Sequence, residues 1–365
     1  MSLKEKLRQR VLSASVIKDA AVINDSKIFG KKEAIVTSVP MVNVALGGEI
    51  DGGLTPGLTV LAGPSKHFKT GFSLLMMKAF QEKYGDDGVI IFYDVEFGTP
   101  LSYFETFDID LEGVVHIPIM NIEELKFDVV QQLEELSRKD NVMIVVDSIG
   151  NIASKKEIED AKDGKSVADM TRAKQLKSLF RMVTPYLTTK AIPMVCINHT
   201  YQTQEMFSKA VVSGGTGVMY SADNVWIIGR QQDKVGKDIE GYHFIINVEK
   251  SRYVKEKSKI PVSISWEKGI NKWSGLLEQA MEYGCVTKTK PGWYATVDME
   301  TGEVGEKSLR EKQIVNNSKF WVERLENTNL AQFISDKYSV DGAGLILDDE
   351  DEVEEDEIAI EGADS

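Results

Sequence analysis

The sequence predicts an α/β protein built on a largely parallel β-sheet, and three observations carry that prediction. From Leu58 to Glu267 short apolar runs (LTVLAG, VIIFYD, VMIVVD, IPMVCIN, NVWIIG, FIINVEK and VSISWE) alternate with longer stretches, and each run has the length of a buried strand. The connections TGFSLLMMKAFQEKY and SVADMTRAKQLKSLFRMVTPYL are long and periodic enough to be the crossover helices that parallel strands need. The last few runs have no helix between them and should pair antiparallel. A chain of 365 residues with 42% hydrophobic content can bury a core of this size.

Taken in order, Met1 to about Asn24 reads as an amphipathic helix, and SKIFGKKEAIV as a polar linker that could lie along a neighbouring surface or as a local flap. The core follows over 37–272. LLEQAMEYG then reads as a helix, PGWYATVDMETGEVGEK as a hairpin with a Gly-containing turn, and FWVERLENTNLAQFISDKY as one or two helices, enough for a small α+β domain over 273–340. Residues 341–365 carry twelve Asp and Glu and no Lys or Arg, too little apolar surface to offset ordering, so this tail is expected to be disordered.

That tail also explains the net charge of −14, because removing it leaves −2 on the rest of the chain. A nearly neutral body with local basic stripes is compatible with DNA. No apolar run reaches the ~18 residues of a membrane span, and the opening MSLKEKLRQR is charged where a secretory signal turns apolar, so a cytoplasmic location and no membrane partner are expected. Cys196 and Cys285 lack metal-ligand spacing, and the four histidines are scattered, which argues against a zinc hydrolase.

The segment GPSKHFKT, comprising Gly63, Pro64, Ser65, Lys66, His67, Phe68, Lys69 and Thr70, with Gly71 after it, joins a strand to a helix. In that context successive backbone amides can wrap phosphates, Lys69 can neutralise the β and γ oxygens, and the Thr70 hydroxyl can ligate Mg²⁺. ATP and Mg²⁺ are the implied cofactors. Phe68 departs from the G-x-x-x-x-G-K-[ST] pattern, which has glycine there. A positive φ would strain a phenylalanine by about 1–3 kcal/mol, so the loop is expected to take a conformation that suits a side chain. Asp147 ends VMIVVD, where a carboxylate would orient Mg²⁺ through water. Glu96 follows VIIFYD and could act as general base, and Asn198 and His199 end a third strand at the same sheet edge.

At these residues the chain resembles the RecA-type recombinases. The resemblance runs through PMVNVALGGEIDGGLTPGLTVLAGPSKHFKT, YDVEFG, VVDSIGNIASKKE, CINHT and GGTGVMYSADNVWIIG, and within the superfamily is nearest to the UvsX recombinases of tailed phages. It implies a RecA-type P-loop ATPase core and a helical filament on single-stranded DNA that pairs with double-stranded DNA and exchanges strands. It further implies a recombination mediator and a single-strand-binding protein as partners. By the same resemblance His199 senses the γ-phosphate, Tyr103 stacks on adenine, and Lys250 and Arg252 reach the neighbouring subunit's nucleotide. The N-terminal segment over 1–36 would contact the next subunit.

Two loops, about 151–168 and 200–215, correspond by resemblance to the DNA-binding loops, and neither reads as packed structure. Tyr201, Met206, Phe207 and Lys209 offer wedges and charge, while Gly214 and Gly215 let phosphate approach the backbone. Lys177 and Arg181, four apart on the helix between the loops, share a face, which by the same resemblance grips phosphates. A hexameric RecA-core helicase and a non-hydrolysing DNA scaffold remain alternatives. Rings would favour the first, and nucleotide binding without turnover the second.

Overall fold

The computed structural model describes residues 1–340 apart from positions 18, 29, 31, 165–170, 204–209, 236, 237, 266 and 268, and apart from the side chains of 233–240. Met206, Phe207, Lys209 and the acidic segment 341–365 lie outside the described residues.

Helix α1 (Leu3–Ala14) is started by a capping box, Ser2 with Glu5, and buries no residue. It is shorter than the helix expected over the first two dozen residues. Beyond it the described linker packs on its own chain: Ile35 is buried and pairs with Leu54, and Lys83 donates to the Ala34 carbonyl. Helix α2 (Pro40–Gly47), with Pro at its first turn and Gly48 in the left-handed cap, is buried almost throughout.

The core alternates as the apolar runs require: β1 (Gly57–Ala62), α3 (Lys69–Tyr84), β2 (Gly88–Asp94), α4 (Leu101–Thr106), β3 (Val114–Pro118), α5 (Ile122–Glu135) and β4 (Asn141–Asp147). Then come α6 (Lys155–Lys162), α7 (Thr171–Thr189), β5 (Pro193–Asn198), the short pair β6 (Thr200–Gln202) and β7 (Ala210–Val212), and α8 (Thr216–Ser221). Strands β8 (Asn224–Val235), β9 (Asp238–Lys250), β10 (Lys259–Ser265) and β11 (Gly269–Ile270) complete the main sheet, ordered β11-β10-β9-β8-β1-β5-β4-β2-β3. Strands β8, β1, β5, β4, β2 and β3 run parallel, and β8 through β11 pair antiparallel.

Alternation along each strand divides the core into two layers. Leu61, Met143 and Val145 face one side, with Phe72, Met76 and Phe80 of α3. Leu58, Val60, Val142, Ile144 and Val146 face the other, with Leu125 and Val129 of α5 and Leu179 and Val183 of α7. Burying each such side chain contributes about 1.5–3 kcal/mol, so both sheet faces need a helical cover.

After the sheet come α9 (Leu276–Tyr283), β12 (Val286–Lys290), β13 (Trp293–Thr296), β14 (Leu309–Arg310), α10 (Glu311–Ile314), α11 (Ser318–Asn327) and α12 (Leu330–Tyr338). Trp321, Ile334, Tyr338 and Val286 pack in the same layer as α2 and α3. The expected hairpin is there as the Val297–Val304 bridge, and a second precedes it, β12 against β13 around Gly292.

Candidate functional site

The segment from Gly63 to Phe68 leaves β1 and enters α3, whose first amides have no partner within the helix and face the loop. Lys69 Nζ, buried, donates to the carbonyls of Gly63 and Pro64 at 3.0 and 2.8 Å. Burial lowers its pKa, opposed by the nearby carboxylates of Glu96 and Asp147. His67 Nδ1 lies 2.9 Å from the Ser65 carbonyl, and Arg230 of β8 holds the Lys66 carbonyl at 3.0 Å.

The expectation for Phe68 is overturned, because its φ is +56°, the left-handed conformation a glycine would take there. The cost, about 1–2 kcal/mol, is offset by packing. Its ring lies 5.5 Å from Phe72, 5.6 Å from Phe244 and 6.3 Å from Phe107, centroid to centroid. Such aromatic pairs contribute about 0.5–1.5 kcal/mol each.

Parallel register brings the acidic groups together. Asp94 pairs with Asp147 across β2 and β4, and Ala62 with Asn198 across β1 and β5, so these residues line one carboxyl edge beside the phosphate loop. Thr70 Oγ1 donates to Asp147 Oδ2 at 2.8 Å, and Thr99 Oγ1 to the same atom at 3.4 Å. Burial, with the negative charges of Glu96 and Asp94, pushes the Asp147 carboxyl up to about 6. A buried carboxylate touching a threonine hydroxyl fits Mg²⁺, which takes few protein ligands and fills its octahedron with water and phosphate oxygens. Thr70 and Asp147 would hold it.

Glu96 Oε1 receives three donors: His199 Nε2 at 2.9 Å, Ser148 Oγ at 2.5 Å and Asn151 Nδ2 at 3.4 Å. The His199 bond, helped by Ser148, holds this carboxyl down at about 2 against the opposing effect of burial. Gly150 makes room for the imidazole, since a Cβ there would stand 2.9 Å from His199 Cγ. Tyr103 lies on α4 with its side chain about half exposed, and Phe107, which ends that helix, contacts the Phe68 ring.

Lys250 and Arg252 are elsewhere. Lys250 Nζ donates to the Met219 and Tyr220 carbonyls at the end of α8, and Arg252 pairs with Asp223. The other oxygen of Asp223 accepts the Leu58 amide at the amino end of β1. Leu58 to Gly63 is five residues of strand, about 17 Å at ~3.3 Å each, so Arg252 cannot reach its own chain's phosphate loop. It instead shares a groove with Lys177, Arg181 and Tyr220. Gly217 lets α8 approach the Lys177 stem, which a Cβ would meet at 2.8 Å.

The described parts of the two loops contain regular structure that was not expected. The first contains α6, started by a capping box of Ser154 and Glu157, and the second is closed by the β6–β7 hairpin, with Tyr201 exposed on it. Gly214 and Gly215 both take positive φ just before α8. Sequence reasoning missed Asp94, which accepts the Phe97 amide and touches His116 at 3.2 Å, although it closes the run leading to Glu96. It also missed Asp223 and the role of Arg172, a basic residue of the helix between the loops, whose guanidinium holds the Ile149 and Gly150 carbonyls. Asp223 falls within the segment GGTGVMYSADNVWIIG, but nothing in its residue type points to its partners. No described helix is long and apolar enough to cross a membrane.

Comparison with known proteins identifies the family. The RecA N-terminal domain model matches residues 15–271, and the model of the C-terminal domain of the bacteriophage T4 recombination and repair protein matches 273–334. The recombination and repair protein of Enterobacteria phage T4 is 51% identical over 319 residues, 86% of this chain and 81% of its own length. Protein RecA of Prochlorococcus marinus is 24% identical over 82% of this chain and 77% of its own, and that of Streptomyces avermitilis 26% over 78% and 77%. The chain therefore belongs to the RecA family and is of the UvsX type of phage recombinase.

Proposed function

We propose that this chain is an ATP-dependent homologous recombinase that forms a helical filament on single-stranded DNA. It would catalyse pairing and strand exchange with double-stranded DNA in phage recombination, repair and recombination-dependent replication. The observation that carries this reading is the separation of the site: the phosphate loop, Asp147, Glu96 and His199 share one sheet edge, while Arg252 is held by Asp223 beside Leu58, about 17 Å of strand from Gly63, and Lys250 rests on the end of α8. A nucleotide bound at one chain's loop is then completed by a second chain's cations, as a head-to-tail filament supplies.

Lys69 and the amides from Pro64 to Thr70 would hold the phosphates. Mg²⁺, when bound, would neutralise charge on the β and γ oxygens. Glu96 would take the proton of the attacking water. In the structure His199 donates to Glu96 and keeps it weakly basic. Turning the imidazole to the γ-phosphate removes that donor and raises the basicity of Glu96, which links the sensor to the base. Tyr103 would stack on adenine. Lys177, Arg181, Tyr201 and the backbone at Gly214 and Gly215 would meet DNA, with Met206, Phe207 and Lys209 in the same loop.

The exposed stripe Leu3, Leu7 and Val11 on α1, and the open edge of β3, are surfaces a neighbouring copy would cover. The division into residues 1–36 for subunit contact, 37–272 for catalysis and DNA, a small domain over 273–340 and an acidic tail over 341–365 belongs to the same proposal. So do a mediator and a single-strand-binding protein as partners and a place in the host cytoplasm.

The test is ATP hydrolysis with and without single-stranded DNA, for the wild type and Lys69→Ala. Stimulation by DNA that is lost in the variant supports the reading. Nucleotide binding without stimulated turnover would return it to a scaffold.

A further inference from the structure

The phosphate loop has two non-glycine residues in the left-handed region, Lys66 at φ +63° and Phe68 at φ +56°. Both are tied to the same strand pair. The Lys66 carbonyl accepts from Arg230 of β8, whose guanidinium lies 4.5 Å from the Tyr242 ring of β9. The Phe68 ring packs on Phe244 of β9, on Phe72 of α3 and on Phe107 at the end of α4. Gly71, one helical turn on, faces that ring: a Cβ there would collide with Phe68 Cε1 and Cζ and stand 2.7 Å from Cδ1. Gly71 is thus needed for space inside α3.

We infer that Phe68 and Gly71 form a lock that presets the phosphate loop and fastens it to α4, the helix that carries Tyr103. A glycine at position 68 adopts the same backbone shape readily but leaves it free to adopt others. Here the ring selects one, so the amides of Lys69 and Thr70 are aimed before the nucleotide arrives, and less ordering is left to binding. Phe68 is a positioning residue, acting through the backbone that follows it. The inference rests on the reading of Gly63 to Thr70 as a nucleotide site.

The experiment uses the full chain and titrates a fluorescent ATP analogue with Mg²⁺, alongside steady-state hydrolysis, for Phe68→Gly, Phe68→Leu, Gly71→Ala and the double variants, with Lys69→Ala as the blank. Phe68→Gly is expected to weaken binding about tenfold, or about 1.4 kcal/mol, and to raise KM by more than it lowers kcat, with Phe68→Leu recovering part of the loss. Gly71→Ala is expected to weaken binding in the wild-type background and to add little in the Phe68→Gly background, because the ring it strikes is gone. Should Phe68→Gly not fold, Phe68→Leu carries the test, since it removes the two atoms nearest Gly71 and should shrink the Gly71→Ala penalty. Wild-type affinity in Phe68→Gly, or the same Gly71→Ala penalty in every background, would overturn the lock. Equal binding by the wild type and Lys69→Ala would overturn the nucleotide-site reading, and the lock with it.

Discussion

The two edges of the central sheet solve opposite electrostatic problems. At the carboxyl edge Glu96 and Asp147 stand near Lys69, with Asp94 beside Asp147, and the anions are satisfied by Thr70, Thr99, Ser148, Asn151, His199, His116 and the Phe97 amide of the same chain. Toward the amino end of β1 the charges are cationic. Lys250 rests on backbone carbonyls, Arg252 on one aspartate, and both adjoin the groove of Lys177 and Arg181. Under the proposed function one edge would be completed by a cation and a phosphate and the other would serve a neighbouring chain, which would make the functional unit an interface between subunits.

Glu96→Gln should sharpen the carboxyl-edge account most. It keeps the size of the side chain but removes the base, so hydrolysis should fall roughly 100- to 10,000-fold while Mg-ATP binding persists. Unchanged turnover would move the base elsewhere.

Asp147→Asn tests the crowding itself. The Asp147 carboxyl moves from 3.8 up to about 6 on folding. A raised carboxyl holds its proton better in the folded state. Its burial therefore costs nothing below about pH 4 and grows as pH rises through 6, reaching about 3 kcal/mol above that. Without nucleotide, Asp147→Asn should raise the thermal midpoint at pH 8 by about 5 °C, and the gap should close near pH 4. The protection that Mg-ATP gives the wild type should vanish. A variant less stable than wild type at pH 8 would contradict the crowding.

The smallest expected effect belongs to the cationic groove. Arg181→Ala should weaken single-stranded DNA binding without changing sequence preference. It should also lower the slope of log affinity against log salt by about 0.7, one phosphate contact. An unchanged slope would remove Arg181 from the DNA face.

The two edges also differ in how far the sequence discloses them. Lys69 and Thr70 are legible from the GPSKHFKT segment between a strand and a helix, and Asp147 because it ends an apolar run and parallel strands deliver run ends to one edge. The conformation of Phe68 is not, since the residue type argues against positive φ and only the distant rings of Phe107 and Phe244 make it tenable. Strand β3 escapes because VVHIP is a short, mostly exposed edge strand whose few apolar residues are broken by His116. Helix α6 could have been found from the Ser154-x-x-Glu157 spacing, a helix-start signature inside a charged loop. Asp223 gives no local signal, because its partners, Leu58 and Arg252, are distant in sequence.

If one chain's nucleotide is completed by another chain's cations, two inactive variants should restore each other when mixed. Lys69→Ala lacks the phosphate grip but keeps Arg252, and Arg252→Ala keeps the grip but lacks the reaching cation. Combined in equal amounts on single-stranded DNA, random order gives about a quarter of interfaces with both parts intact. The account predicts ATP hydrolysis in the mixture well above the sum of the two variants measured alone. Activity no greater than that sum, with both variants shown to join the same filaments, would contradict it.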